Sequence, residues 1–172
     1  NSEGKKLSKR DSVTSIDEFK EMGYLPEALT NYMALLGWSP KSGENEIYSL
    51  ENLSKAFDLK DVNKAGAKFN WEKLNWINSQ YIKSMDSDEL FSIFKIFWEK
   101  EGWEIPSQQW GLNLTLLIKD SIIVLRDVIY HSKPFFEQPE VEGKCLDFLK
   151  NNSVKSLLKD VLDLLTDKSR TI

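Results

Sequence analysis

Apolar and polar positions follow one another along this chain with the spacing of helices. Ser15 followed by Glu18 has the spacing of a capping box, and Gly23 suits the residue after a helix end, so a short helix is expected over 16–22. Pro26 fits a first helical position and Gly37 a stop after Leu36. Between them Leu29, Tyr32, Met33 and Leu36 fall on one helical stripe. Residues 40–45 read as a turn-rich loop. Ser49 caps a helix over 49–57, and the polar stretch 60–68 with Gly66 reads as loop or a single turn. Asn70 caps a longer helix to about residue 83, with Leu74, Ile77 and Tyr81 as its buried stripe.

After Met85 the helices lengthen. The span 88–101 carries Leu90, Phe91, Phe94, Ile96, Phe97 and Trp98 and ends before Gly102. Over 108–130, Leu114, Ile118, Ile122, Leu125 and Ile129 recur at helical spacing, which predicts one long helix cut off by Pro134. Helices over 144–150 and 153–166 complete the set, and 167–172 reads as a frayed end. Strand signals are confined to 12–14 and to Ile47-Tyr48. The fold class is mainly α with minor β at most. A boundary near Met85 divides a module over 1–85 from a helical one over 86–172.

Composition narrows the function classes. A net charge of −4 argues against a generally basic nucleic-acid binder, so any RNA contact has to come from local patches. A single cysteine excludes an internal disulfide and a cysteine-based zinc site, and Cys145 is expected as a reduced, partly buried thiol. No run approaches the roughly 18 apolar residues of a membrane span and no signal peptide is visible, so the chain reads as cytoplasmic, with no membrane partner. His131 is the single histidine. It speaks against a metal site or a catalytic triad and suits a helix C-terminus or the surface. The tryptophans at 98, 103 and 110 and the phenylalanines from 91 to 97 read as core. The acidic pairs Asp17-Glu18 and Asp88-Glu89 sit at helix starts, where they favour the dipole.

Two constellations carry candidate chemistry. Lys5, Lys6, Lys9 and Arg10 crowd six positions, enough to neutralise a polyphosphate if ordered and otherwise a solvated basic tail. On a helix from Asn70, Lys73, Trp76 and Gln80 share a flank away from the buried stripe. An ammonium beside an indole suits an RNA phosphate and a sugar or base. The alternative is a tryptophan covered by a neighbouring helix.

Three blocks give these constellations a family. Lys6-Leu7-Ser8-Lys9-Arg10 resembles the K-M-S-K-S signature of class I aminoacyl-tRNA synthetases, in the form used by glutamyl-tRNA synthetases. Gly23 to Ser39 is similar to that family's G-[FY]-L-P-E-A-L block with its trailing L-G-[WF]-S. Phe69-Asn70-Trp71-Glu72-Lys73-Leu74-Asn75-Trp76-Ile77-Asn78 resembles its later F-[DN]-x-x-K-L-x-W-x-N block. The order and spacing of the three are more specific than any one. The resemblance is best over 4–83 and extends to about residue 125.

The resemblance implies a bacterial, cyanobacterial-like parent enzyme. That parent ligates glutamate to tRNA(Glu) through ATP-dependent glutamyl-adenylate, with Mg2+ accompanying ATP and no metal held by this chain. It implies that Lys6, Ser8, Lys9 and Arg10 face the ATP phosphates, with Lys9 catalytic. Ser39, Lys64, Lys73, Trp76 and Ser121 would contact tRNA. Ser121 stands where discriminating members place an arginine in a long helix, so tRNA(Gln) is a second expected partner. Leu7 and Arg10 depart from the generic signature as is usual in this family. DNA is not an expected partner. Asn1 is not methionine and no H-I-G-H block is present, so the chain is expected to be a fragment, inactive alone. A glutaminyl enzyme is disfavoured because β-barrels would follow the stem-contact region. The rival reading is a stand-alone α-helical interaction module with a basic N-terminal tail.

Overall fold

The computed structural model describes residues 15–40, 46–63, 68–138, 141 and 143–166. The basic cluster containing Lys6, Ser8, Lys9 and Arg10, the possible strand at 12–14, Lys64 and the 167–172 tail lie outside the described residues. The chain divides into two compact units at Phe136/Glu137. The boundary expected near Met85 falls at the C-cap of a helix inside the first unit.

Local signals set most elements of the first unit. Helix α1 (Ile16–Met22) starts with the reciprocal capping box of Ser15 and Glu18 and ends at Gly23 in the left-handed region, φ 91°. Helix α2 (Pro26–Gly37) starts on its proline and stops at extended Trp38. Its buried face is Ala28, Asn31 and Tyr32, while Met33, expected in the stripe, is exposed. Helix α3 (Leu50–Ala56) is capped by Ser49 and followed by a 3-10 turn, Leu59–Asp61, capped by Asp58. Helix α4 (Trp71–Ser84) is capped by Asn70, whose Oδ1 accepts the Lys73 amide at 3.1 Å. Asp86 caps α5 (Ser87–Lys100) and Ser107 caps α6 (Gln108–Ile118). No strand forms among the described residues. One antiparallel bridge pairs Trp38 with Val62, and Ile47-Tyr48 is irregular.

The long helix expected over 108–130 is two helices. After α6 comes a 3-10 turn, Lys119–Ser121, then an extended Ile122 and a bend and turn over 123–126, then α7 (Asp127–Phe136). The Asp127 carboxylate accepts the amides of Ile123 and Val124, each at 3.0 Å, and so stabilises the break. The Leu125 amide donates to Gly23 O at 2.9 Å and the Ile123 carbonyl accepts Asn78 Nδ2 at 2.6 Å, so tertiary bonds replace the helical ones. The apolar stripe survives the break: Leu114, Ile118 and Ile122 are buried, and Leu125 and Ile129 pack against the core. Pro134 lies inside α7 instead of ending it. The hydrogen bond it removes would have gone to the carbonyl of Tyr130, a residue that is 78 % exposed.

The core has two neighbouring aromatic centres. Phe19, Tyr24, Tyr32, Phe69 and Trp71 pack where α1, α2 and the start of α4 meet. Fully buried Trp98 packs against Phe91, Phe94 and Phe136, and its Nε1 donates to buried Ser132 Oγ at 2.7 Å. Phe136 also stacks on Trp103. Helix α2 packs on α4, and α5 on α6. Two glycines are required by close approach. A Cβ at Gly23 would come within 2.8 Å of Leu125 N, and one at Gly111 within 2.3 Å of Phe91 Cε2.

The second unit is a helical pair, α8 (Gly143–Lys150) and α9 (Asn152–Thr166), packed on each other. Cys145, expected as partly buried, is exposed there.

Asn78 joins three segments of the first unit. Its Oδ1 accepts the Leu25 amide at 2.9 Å and its Nδ2 donates to Ile123, and the residue is fully buried. Asn78→Ala leaves the buried Leu25 amide and the part-buried Ile123 carbonyl without this partner, which is expected to cost about 1–3 kcal/mol in urea unfolding. Asn75→Ala on the same helix, which is half-buried and loses one bond to Tyr24, is expected to cost less.

Candidate nucleic-acid interface

Of the site residues named from sequence, Ser39, Lys73, Trp76 and Ser121 are described; Lys73 and Trp76 lie on α4 and Ser121 in a turn packed on it. Leu74, Ile77, Asn78, Ser79 and Ile82 form the buried face of α4. Lys73 and Trp76, three residues apart, stand off that face: Lys73 is half-buried and Trp76 is 45 % exposed. Gln80, one turn on, is half-buried beside Ser79. Tyr81, expected in the apolar stripe, is half-buried and has a polar task. Its hydroxyl is shared between the Tyr48 carbonyl and Asn31 Oδ1.

That bond is part of a strut running along α4. Asn31 is buried at 1 % exposure, donates from Nδ2 to the Glu46 carbonyl at 2.9 Å and accepts the Tyr48 amide at 2.6 Å. The backbone of residues 46–48 is thereby tied to α2 through Asn31 and to α4 through Tyr81. From this strut Glu46 presents Oε1 to Lys73 Nζ at 2.6 Å. Sequence reasoning missed Glu46, since no spacing links positions 27 residues apart; only the folded contact does.

Ser39 and Asn63 share one rim. The Trp38–Val62 bridge and the Asn63 amide donating to Gly37 O at 2.6 Å hold them side by side. Ser39 is exposed, and Trp38 beneath it is buried against the rings of Tyr48 and Phe57. Tyr48 thus ties this rim to the strut that reaches Lys73. Lys64 lies outside the described residues. Ser121 is exposed in the 3-10 turn that packs on α4, and it is not part of a long helix as expected. His131 lies in the middle of α7 against the Tyr130 ring. No group of three His, Cys, Asp or Glu that could hold a metal ion occurs among the described residues.

The groups with perturbed acidity are phenols that support the site. Burial raises Tyr81 above the usual range, and nearby Glu27 adds to this. Burial also raises Tyr24, with a contribution from Asp127. It raises Tyr32 as well, partly offset because the Tyr32 oxygen accepts the Asn70 amide. The arrangement offers RNA an ammonium, an indole and an exposed serine rim on a chain whose overall charge is negative. No catalytic dyad or nucleophile accompanies them among the described residues.

Comparison with known proteins gives a consistent picture. The family described as tRNA synthetases class I (E and Q), catalytic domain, matches residues 1–76. The chain is 60 % identical to a glutamate–tRNA ligase of Prochlorococcus marinus strain AS9601 over 98 % of its own length and 36 % of that relative. It is 62 % identical to that of Prochlorococcus marinus subsp. pastoris over 99 % of its length and 36 % of the relative. Among solved structures, a glutamate tRNA ligase from Elizabethkingia meningosepticum in complex with its amino acid superposes with a TM-score of 0.80. The two are 31 % identical, over 95 % of this chain and 36 % of that one. The chain therefore spans little more than a third of the curated relatives it matches.

Two outcomes follow from this geometry. Trp76→Ala is expected to change unfolding free energy by less than about 1 kcal/mol, whereas Trp98→Ala is expected to cost about 3–5 kcal/mol. An early-melting Trp76→Ala protein would make the indole a core group. The fold favours neutral phenols, so their contribution is complete below the unfolded tyrosine pKa of about 10 and is lost as pH climbs through the raised folded values. Thermal midpoints at constant ionic strength are expected to fall above about pH 10, with a shallower alkaline limb in Tyr81→Phe.

Proposed function

We propose that this chain is the portion of a glutamate–tRNA ligase that supplies the ATP-phosphate loop and part of the tRNA-binding surface. The observation that carries this reading is the near-continuous similarity to glutamate–tRNA ligases, 98 % of the chain at 60 % identity. Three motif blocks lie in order within it, and one of them places Lys73 and Trp76 on an accessible flank of α4. Residues 1–85 would form the loop and stem-contact module, and 86–172 the first part of the helical anticodon-binding subdomain.

The parent would first join a glutamate carboxylate oxygen to the α-phosphorus of ATP, breaking the bond to pyrophosphate. A ribose hydroxyl at the tRNA 3′ end would then attack the acyl carbon and release AMP. Negative charge grows on the departing pyrophosphate, and an ammonium placed there stabilises it most when charge is greatest. Lys9 takes this role, with Lys6 and Arg10 holding phosphate oxygens and Ser8 shaping the loop. Magnesium would arrive with ATP and neutralise phosphate charge. The tRNA would meet Lys73 and Trp76 together with Ser39 and Lys64. Ser121 would lie at a further contact, and this assignment rests on the resemblance alone. A serine there lacks the fixed donor fork of an arginine, so the reading extends the partners to tRNA(Gln).

The test uses the full-length gene product. It is expected to aminoacylate tRNA(Glu), and Lys9→Ala is expected to slow ATP–pyrophosphate exchange by about a hundredfold. Exchange at the wild-type rate would remove Lys9 from the chemistry. The 172-residue chain alone is expected to show no exchange. Charging of purified tRNA(Gln) checks the second partner, and a product charging tRNA(Glu) alone would exclude it. A full-length gene product of about this length would favour the interaction-module reading instead.

A further inference from the structure

We infer that Glu46 is a built-in competitor for RNA phosphate at Lys73: RNA has to displace the Glu46 carboxylate before the ammonium can be engaged. The inference rests on the tRNA reading of the α4 flank and adds a group to it that no sequence block contains.

The geometry is specific. Lys73 Nζ and Glu46 Oε1 are 2.6 Å apart, and neither side chain is buried, at 38 % and 43 % exposure. The carboxylate does not reach Lys73 on a free loop. Asn31 takes the Glu46 carbonyl and the Tyr48 amide, and Tyr81 takes the Tyr48 carbonyl, so the strut is fixed at both ends before Glu46 is presented. Lys73 and Tyr81 are eight residues apart on α4, about 12 Å along its axis; the 46–48 backbone can cover at most about 7 Å of it, and the long Lys73, Glu46 and Tyr81 side chains reach across the rest. Since Asn31 and Tyr81 hold the strut through its backbone, the Glu46 side chain is free to leave Lys73 while the strut stays in place.

The energetics suit exchange. A half-exposed ion pair is worth only about 0.2–1 kcal/mol, because water and salt screen it. It therefore biases Lys73 toward Glu46 in the free protein by up to about fivefold and is weak enough for a phosphate to break. A phosphate brings the same kind of anionic oxygen to the ammonium and repels the carboxylate beside it. The Lys73 charge then contributes to affinity only after Glu46 is displaced, which lowers binding to any nucleic acid that cannot press a phosphate to this point.

The experiment measures binding of a tRNA(Glu) transcript to the wild-type chain, Glu46→Gln, Lys73→Ala and the double variant, as a function of salt. Glutamine keeps the size of the side chain and removes the charge, and thermal midpoints check that all four proteins fold. Glu46→Gln is expected to bind about two- to fivefold more tightly at about 0.1 M salt. Its log–log salt dependence is expected to steepen by up to about one unit. In the Lys73→Ala background the Glu46→Gln gain is expected to vanish. An equal gain in both backgrounds would reduce Glu46 to diffuse repulsion and overturn the inference. Weaker binding by Glu46→Gln would also overturn it, making Glu46 a brace that positions Lys73. Wild-type binding by Lys73→Ala would instead remove the α4 contact from the proposed function itself.

Discussion

One buried amide holds the first unit together. Asn78 uses its oxygen for the amide that opens α2 and its nitrogen for a carbonyl in the break after α6. Backbone groups that leave a helix have to find partners, and an unpaired buried one costs about 1–3 kcal/mol. Through Asn78, α4 satisfies two such groups from segments 53 and 45 residues away. Gly23 completes the junction, since its lack of a Cβ lets the Leu125 amide reach its carbonyl.

This junction leaves α4 with two different sides. One buries Leu74, Ile77, Asn78 and Ile82 and fixes the positions of α2 and the break. The flank carries Lys73, half-buried and paired with Glu46, and Trp76, 45 % exposed. Polar side chains repeat the division of labour beside it. Asn31 and Tyr81 hold the 46–48 strut by its backbone and so leave its carboxylate available for charge chemistry. In a chain of net charge −4 a cation stands out only where local geometry isolates it, and here the strut sets the Glu46 carboxylate against the Lys73 ammonium.

Much of the fold was legible because its signals are local. Ser15 with Glu18, Ser49 and Asn70 act on amides three residues away, Pro26 presets the first helical φ, and each sits where its spacing placed it. The pairing of Lys73 with Trp76 on an accessible flank followed from the 3.6-residue repeat and the buried Leu74–Ile77 face. Met33 went the other way. It shares the stripe of Tyr32 and Leu36 in sequence, yet it is exposed, because the buried face is centred on Ala28, Asn31 and Tyr32 and Met33 lies about 100° round the helix from Tyr32 and about 200° from Asn31.

What only the tertiary structure decided is where non-local bonds override periodicity. The spacing of Leu114, Ile118, Ile122, Leu125 and Ile129 is helical, and all of these residues do face the core. The helix nonetheless breaks after Ile118, because Asn78, Gly23 and the Asp127 carboxylate supply partners for the backbone that a helix would otherwise have bonded to itself. Glu46 belongs to the same category. Its sequence neighbours say nothing of Lys73, and the pair exists because Asn31 and Tyr81 bring residues 46–48 alongside α4. Sequence by itself determined most of the buried apolar positions and the starts of the capped helices, since caps and periodicity act over a few residues. Tertiary structure determined where helices stop short and which charges meet, since those depend on hydrogen bonds between segments far apart along the chain.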